Sequence, residues 1–254
     1  YDGSQTESVN GSCYSPTNYS GNFSGPLTVR KALAGSINIP AVKMLYLVGI
    51  QNAITFSREM GLTTLTDPTR YGLSLVLGGG EVKLIEMTSL YGIFATNGIK
   101  HNTTGILKIE NEKGETIEEY KETEGSRVLS EKSASWISDI LSDNDARTWI
   151  FGANSSLYIK EQPVAVKTGT TSNYRDAWIV GYTPSLVVGA WVGNNNNTPM
   201  APKASSILAA PIWKEFFTKQ LHKYPVESFP KPEEEDILTI KPILRGKYLG
   251  GESV

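Results

Sequence analysis

Apolar positions recur at helical spacing through the first part of the chain and at strand spacing in the last part. Val29, Leu33 and Ala34 follow Thr28, a residue type that caps helices, and Gly35 stops the run. Pro40 suits the first turn of a second helix with Ala41, Met44, Leu45 and Val48 as its apolar face and Gly49 closing it. Between them lies the short turn Ser36-Ile37-Asn38-Ile39. A third helix is expected over 51–60, ending at Gly61. Gly78-Gly79-Gly80 then leads into a helix over 81–97, where Val82, Ile85, Leu90, Ile93 and Phe94 share a face. Residues 104–120 alternate like a hairpin about a turn at 111–114. Ser130 caps a further helix with Ala134, Ile137 and Leu141 inward.

After Gln162 the period shortens. Residues 163–170, 177–182 and 186–193 read as three strands, the last two joined by Thr183-Pro184-Ser185. A closing helix over 205–223 should bury Leu208, Ile212, Phe216 and Leu221, with Pro211 disturbing it. Helices, then a strand meander, then a helix make an α+β pattern: an antiparallel sheet flanked by helices. The polar, turn-rich 1–26 reads as a loop or linker, 27–223 as the domain, and the Pro/Glu-rich 224–254 as an extended tail.

Composition narrows the function. Hydrophobic residues make up 39% and charged residues 20% of 254, ordinary values for one globular domain. A formal charge of −2 without a Lys/Arg cluster removes the electrostatic footprint of a nucleic-acid partner. Cys13 is alone, so neither an internal disulfide nor a zinc or other metal site is indicated. No cofactor motif stands out. Gly78-Gly79-Gly80 lacks the Lys-Ser/Thr of a phosphate loop and reads as a turn before a helix. His101 and His222 are far apart, which leaves a Ser-His-Asp triad poorly supported. Trp178 and Trp191 read as sheet core, and Asp176 either orients groups near Lys167 or shapes the turn before its strand.

Two short constellations can carry chemistry. Lys167-Thr168-Gly169-Thr170 lies on a strand, so Lys167 and Gly169 share one face and Thr168 and Thr170 the other. Gly169 lets another backbone approach, and an extended peptide could add there as a further strand. The hydroxyls of Thr168 and Thr170, with the Lys167 charge, could bind a carboxylate, and the Thr170 N–H could serve as an oxyanion donor. In the interhelical turn, Ser36 could relay a proton while Asn38 holds a substrate carbonyl or a lysine. Singly, each reads more simply as an ordinary turn or strand end. Together, a Ser-x-Asn preceding a Lys-Thr-Gly by roughly 130 residues matches two parts of a serine acyl-transferase signature.

The surrounding text resembles class A, bifunctional penicillin-binding proteins over about residues 15–220. The resemblance rests on Gly25-Pro26-Leu27-Thr28-Val29-Arg30-Lys31-Ala32-Leu33 leading to Ser36, on Leu77 to Val82, and on Tyr91 to Gly98. It is strongest at Val166 to Thr171 followed by Asp176 to Pro184 and Trp191-Val192-Gly193. It implies a penicillin-binding protein/serine β-lactamase-like fold and a D,D-transpeptidase that cross-links peptidoglycan stem peptides at their D-Ala-D-Ala ends, with β-lactams as mimics. Ser36 and Asn38 would act in proton transfer and positioning. Lys167, Thr168, Gly169 and Thr170 would act in carboxylate binding and the oxyanion hole. The chain reads as lacking a Ser-x-x-Lys; Thr28-Val29-Arg30-Lys31 has the spacing with a threonine. The resemblance therefore places the nucleophile before Tyr1, with two further strands of the sheet, a glycosyltransferase domain and a membrane anchor, at the extracytoplasmic face of the membrane. Alternatives are a non-catalytic module, or a serine β-lactamase. The latter lacks a Glu-x-x-x-Asn between the motifs.

Overall fold

A computed structural model describes residues 14–233. Helices α1 (Val29–Ala34), α2 (Asn38–Val48), α3 (Ile50–Glu59) and α4 (Leu84–Ala95) come first. Strand β1 (Ile99–Lys100), the hairpin β2 (Lys108–Glu110) and β3 (Thr116–Glu119), and β4 (Ser126–Arg127) follow, with β1 pairing β4. Helices α5 (Glu131–Ser142) and α6 (Asn144–Phe151) precede the main sheet of β5 (Ala165–Thr170), β6 (Asp176–Tyr182) and β7 (Val187–Gly193), and α7 (Ser205–Leu221) closes the fold. The sheet order is β5-β6-β7, antiparallel throughout. Among the described residues no single helix is long and apolar enough to cross a membrane.

Register decides which side chains share a face. Lys167, Val180 and Gly189 align across the strands, as do Gly169, Trp178 and Trp191. This face is covered by α4 and α5. There Tyr182 packs with Ala95, Ala165 and Leu141, and its hydroxyl shares a hydrogen bond of 3.1 Å with Ser138. The opposite face carries Val166, Ala177 and Ile179 against Trp213 and Phe217 of α7, all buried. Gly181 lies directly under the Trp213 ring, which a Cβ there would overlap. The sheet is thus the middle of three layers, its two faces sealed by helices from opposite ends of the sequence.

Several expectations need correction. The fourth helix starts at Leu84, because a 3-10 turn over Leu73–Leu77 ends at Gly78 in the left-handed region (φ 97°). The stretch before the helix is held extended by the Thr64 hydroxyl, which donates to the Glu81 carbonyl at 2.5 Å. In α7, Leu208 is half-buried, whereas Ile212 and Phe216 are 58% and 52% exposed. Trp213 and Phe217, one position on, face the sheet instead. Both faces of this helix are apolar, so periodicity alone could not choose between them. Pro211 does not interrupt it. In α2, Val42 and Leu45 are buried, but Met44 and Val48 lie on the open side. Trp178 and Trp191 are half-buried cross-strand partners rather than core. The tail does not leave the domain at Pro225: the Glu227 N–H donates to Gln162 at 3.0 Å, and Phe229 packs edge-on to Tyr182 at 5.5 Å. Cys13 and residues 234–254 lie outside the described residues.

Gly181→Val should destabilise the fold by about 1–3 kcal/mol or more, because the Trp213 ring has no room to yield. Chemical denaturation of the variant and parent checks this.

Candidate active site

The turn that carries Ser36 is built by the end of α1. Ile37 N–H donates to the Ala32 carbonyl at 2.9 Å and Ser36 N–H to the Leu33 carbonyl at 3.1 Å, the two bonds of a Schellman cap. That cap puts its key residue in the left-handed region, where glycine is the usual choice. Here the position holds Ser36, at φ 57°, and glycine comes one residue earlier. A non-glycine residue there costs about 1–2 kcal/mol. Breaking a local rule in this way marks a position where a side chain is wanted.

The Ser36 hydroxyl receives that use from β5. Lys167 Nζ donates to Ser36 Oγ at 2.6 Å and to the carbonyl of Thr168 at 2.8 Å. Desolvation first, and the positive charge of Arg147 second, lower the Lys167 pKa to about 8. The ammonium is therefore mostly charged at neutral pH but is a better acid than an ordinary lysine. With its oxygen accepting from Lys167, Ser36 keeps its own O–H free to donate to a third group.

The backbone of β5 completes this side of the cleft. The Thr168 carbonyl meets Lys167, and the Val166 carbonyl accepts from Arg147 Nη1 at 3.5 Å. Alternate residues of an antiparallel strand direct N–H and C=O to the same side. Val166, Thr168 and Thr170 therefore aim their main-chain groups away from β6, along the unpaired edge of β5. By the same alternation the Thr170 N–H faces that edge.

Not every expected group joins this cluster. The Thr170 hydroxyl donates to Ser205 Oγ and accepts from Ser205 N–H, both at 3.0 Å, which ties it to the start of α7. The Asn38 amide, in the first turn of α2, donates to the Thr17 carbonyl at 3.0 Å. Thr168 is half-buried and Gly169 exposed, and a Cβ at Gly169 would meet the Trp178 Cβ at 3.6 Å, an ordinary contact. Asp176 takes the turn role. It accepts from Trp191 Nε1 and from the Thr171 hydroxyl, each at 2.9 Å, and so closes the β5–β6 connection in which Asn173 and Tyr174 both have positive φ.

Sequence reasoning missed three features. Gly78 packs so closely on Thr171 that a Cβ would sit 2.9 Å from Cγ2, which makes the glycine run a support for the site's turn. Tyr19 of the leading loop meets Tyr174 edge-on at 6.5 Å. Arg147 lies buried behind β5. A Ser-x-x-Lys spacing also went unnoticed at Ser228-Phe229-Pro230-Lys231. It lies in an irregular segment, with proline in third place and Phe229 against Tyr182. It thus lacks the helical i, i+3 geometry that would set lysine beside serine. Among the described residues there is no group of three His, Cys, Asp or Glu fit for a metal.

A family model described as the penicillin-binding protein transpeptidase domain matches residues 2–218. The chain belongs to this family. It is 34% identical to penicillin-binding protein 1A of Aquifex aeolicus over 228 residues, 89% of this chain and 30% of that protein. It is 31% identical to penicillin-binding protein 1C of Escherichia coli over 200 residues, 78% of this chain and 24% of the relative. The crystal structure of penicillin-binding protein 1A from Haemophilus influenzae superposes with a TM-score of 0.78 at 21% identity, covering 90% of this chain and 39% of the other. PonA1 from Mycobacterium tuberculosis gives 0.75 at 25% identity, covering 90% and 64%. The chain thus spans only about a quarter to a third of the length of these curated relatives. The fold brings Ser36 of Ser36-Ile37-Asn38 into direct contact with Lys167 of Lys167-Thr168-Gly169.

Asp176→Ala should loosen the β5–β6 turn by about 1–3 kcal/mol, the cost of unsatisfied buried partners. Faster amide exchange at Thr171 and Asp176, with the α4 core unchanged, is the expected readout.

Proposed function

We propose that the protein is a penicillin-binding D,D-transpeptidase that cross-links peptidoglycan stem peptides by serine acyl transfer. The observation that carries this reading is the Lys167–Ser36 hydrogen bond beside the unpaired edge of β5. The nucleophilic serine and its lysine come from outside this chain, on a Ser-x-x-Lys helix that lies before it in the protein. A D-Ala-D-Ala end adds along the β5 edge as an extra strand. Lys167 and Thr168 attract its carboxylate. Thr170 contributes its edge N–H, as an oxyanion donor, while its hydroxyl stays with Ser205. Asn38 exchanges Thr17 for the substrate amide.

The chemistry then balances in two acyl transfers. The serine passes its proton to the lysine of its own Ser-x-x-Lys, its oxygen bonds to the penultimate carbonyl carbon, and the amide bond to the terminal D-alanine breaks. Ser36 gives its proton to the departing amine and is re-protonated from Lys167. The amino group of a second stem peptide next attacks the ester and loses its proton through Ser36 to Lys167, and the released serine takes its proton back from its lysine, leaving a cross-link. A β-lactam enters the first step and stops there. PonA1 of M. tuberculosis, similar in fold, has been solved in complex with penicillin V.

The same upstream part completes the sheet. On β7, Val188, Gly189 and Ala190 line an apolar groove of about 230 Å³ with Ile212, Trp213 and Phe216. We propose that strands from that part pair with β7 and cover Ile212 and Phe216. A glycosyltransferase domain and membrane anchor complete the protein at the extracytoplasmic face.

Fluorescent penicillin should label the full-length protein with one covalent adduct, and Lys167→Ala should slow acylation by about 100-fold or more. The 254-residue chain alone should give no adduct. No label on the full-length protein would point to a non-catalytic module, and rapid turnover of a chromogenic β-lactam to a lactamase. Expressed alone, the chain should self-associate through the β7 edge. Ile212→Lys should reduce that association in light scattering.

A further inference from the structure

Arg147 is the charged residue of α6 that neither the proposed chemistry nor the packing accounts for. Its side chain is buried, at 3% exposure. Nη1 donates to the Val166 carbonyl over a long 3.5 Å, and Nε is buried with no partner among the described residues. Buried arginines are normally paired with an acid, because an incompletely satisfied guanidinium is costly to desolvate. The nearest acids are committed elsewhere. Asp143 gives Oδ2 to Arg30 at 2.9 Å and Oδ1 to the Ala146 N–H at 2.8 Å, and Asp139 is also bound by Arg30. A helix that only needed to fill this space would carry leucine or methionine. What the guanidinium supplies instead is a positive charge only partly offset by Asp143, at the edge of β5 against the residue before Lys167.

We propose that Arg147 is a positioning residue of the acyl-transfer site, acting from the Val166 end of the β5 edge on the charge of Lys167. The proposal rests on the reading of Lys167 and Ser36 as the proton-transfer pair. Two observations support it: a buried guanidinium whose Nε has no partner among the described residues, and its contact with the carbonyl of Val166, the residue before Lys167. Desolvation lowers the Arg147 pKa to about 10, so it stays charged at neutral pH, and its charge in turn disfavours the Lys167 ammonium. The other elements packed on β5 bring no opposing charge to that amine. On α5, Asp139 and Asp143 at its end are held by Arg30. On β6 the residue opposite Lys167 is Val180, and Asp176 is held by Thr171 and Trp191. On α7, Lys214 donates to the Tyr158 carbonyl and Glu215 pairs with Lys219.

A less basic ammonium passes its proton to Ser36 more readily and loses it altogether at higher pH. Acylation should therefore fall on the alkaline side with a midpoint near 8. In the full-length protein, Arg147→Met should move that midpoint upward by about one pH unit, the usual size of a like-charge effect. Arg147→Lys, which keeps the charge, should hold it near the parent value. A uniform loss of rate in both variants with an unmoved midpoint would overturn the proposal and leave Arg147 a packing residue. If Arg147→Met fails to fold, Arg147→Gln takes its place: an alkaline midpoint moved upward supports the proposal, and an unmoved midpoint overturns it. Lys167→Ala acylating at the parent rate would instead sink the proton-transfer reading itself, which separates the two failures.

Discussion

An ammonium group can lie inside a protein only where its protons find acceptors, and the site is organised around meeting that requirement for Lys167. One acceptor is local, the carbonyl of Thr168 on the same strand. The other, Ser36 Oγ, is 131 residues away in sequence and sits in a backbone conformation that serine rarely adopts. The contact therefore fixes three things at once. It locates the α1–α2 turn over β5, it leaves the Ser36 proton available, and it holds the lysine below the free strand edge where a peptide could lie. The left-handed serine is stabilised by the cap bonds of α1, so local strain and long-range contact support each other.

Behind that contact stands a layer of charge. Arg30 of α1 joins Asp139 and Asp143 at the α5–α6 junction, and Asp143 also caps α6. The ion pairs are about one-third exposed, so they contribute mainly by geometry rather than by raw Coulomb energy. They clamp α1, the helix that leads into the Ser36 turn, to the helix that carries Arg147. That turn and α6 meet β5 at adjacent residues, Lys167 and Val166. The arrangement of charges around the amine is thus a property of four elements packed together.

The apolar side of the molecule is less complete. Ile212 and Phe216 stand exposed beside the unpaired edge of β7, and Met44, Leu47 and Val48 stand exposed on α2. These residues lie at opposite borders of the same domain. Apolar helix faces of this kind are ordinarily covered. Their exposure accords with a chain that spans about a third of its relatives' length.

Much of this was legible in the sequence. Short apolar runs gave away the strands β6 and β7, since helices cover both faces of the sheet. Caps at Thr28 and Ser130 located two helix starts through local hydrogen bonds that depend on neighbours alone. The pairing of Ser36 with Lys167 followed from resemblance, and its contact distance came from the fold. Tertiary structure alone decided which side of α7 is buried, because both sides are apolar and only the bare glycine at 181 makes room for Trp213. It alone assigned the Thr170 hydroxyl to Ser205 and the Asn38 amide to Thr17, since short polar side chains take whichever partner packing brings near. Arg147 was illegible for the same reason: an arginine on an amphipathic helix reads as solvated, and nothing local reveals that its acids are spent on Arg30. Sequence determines what each residue can offer. The packing of distant elements determines which offers are taken up.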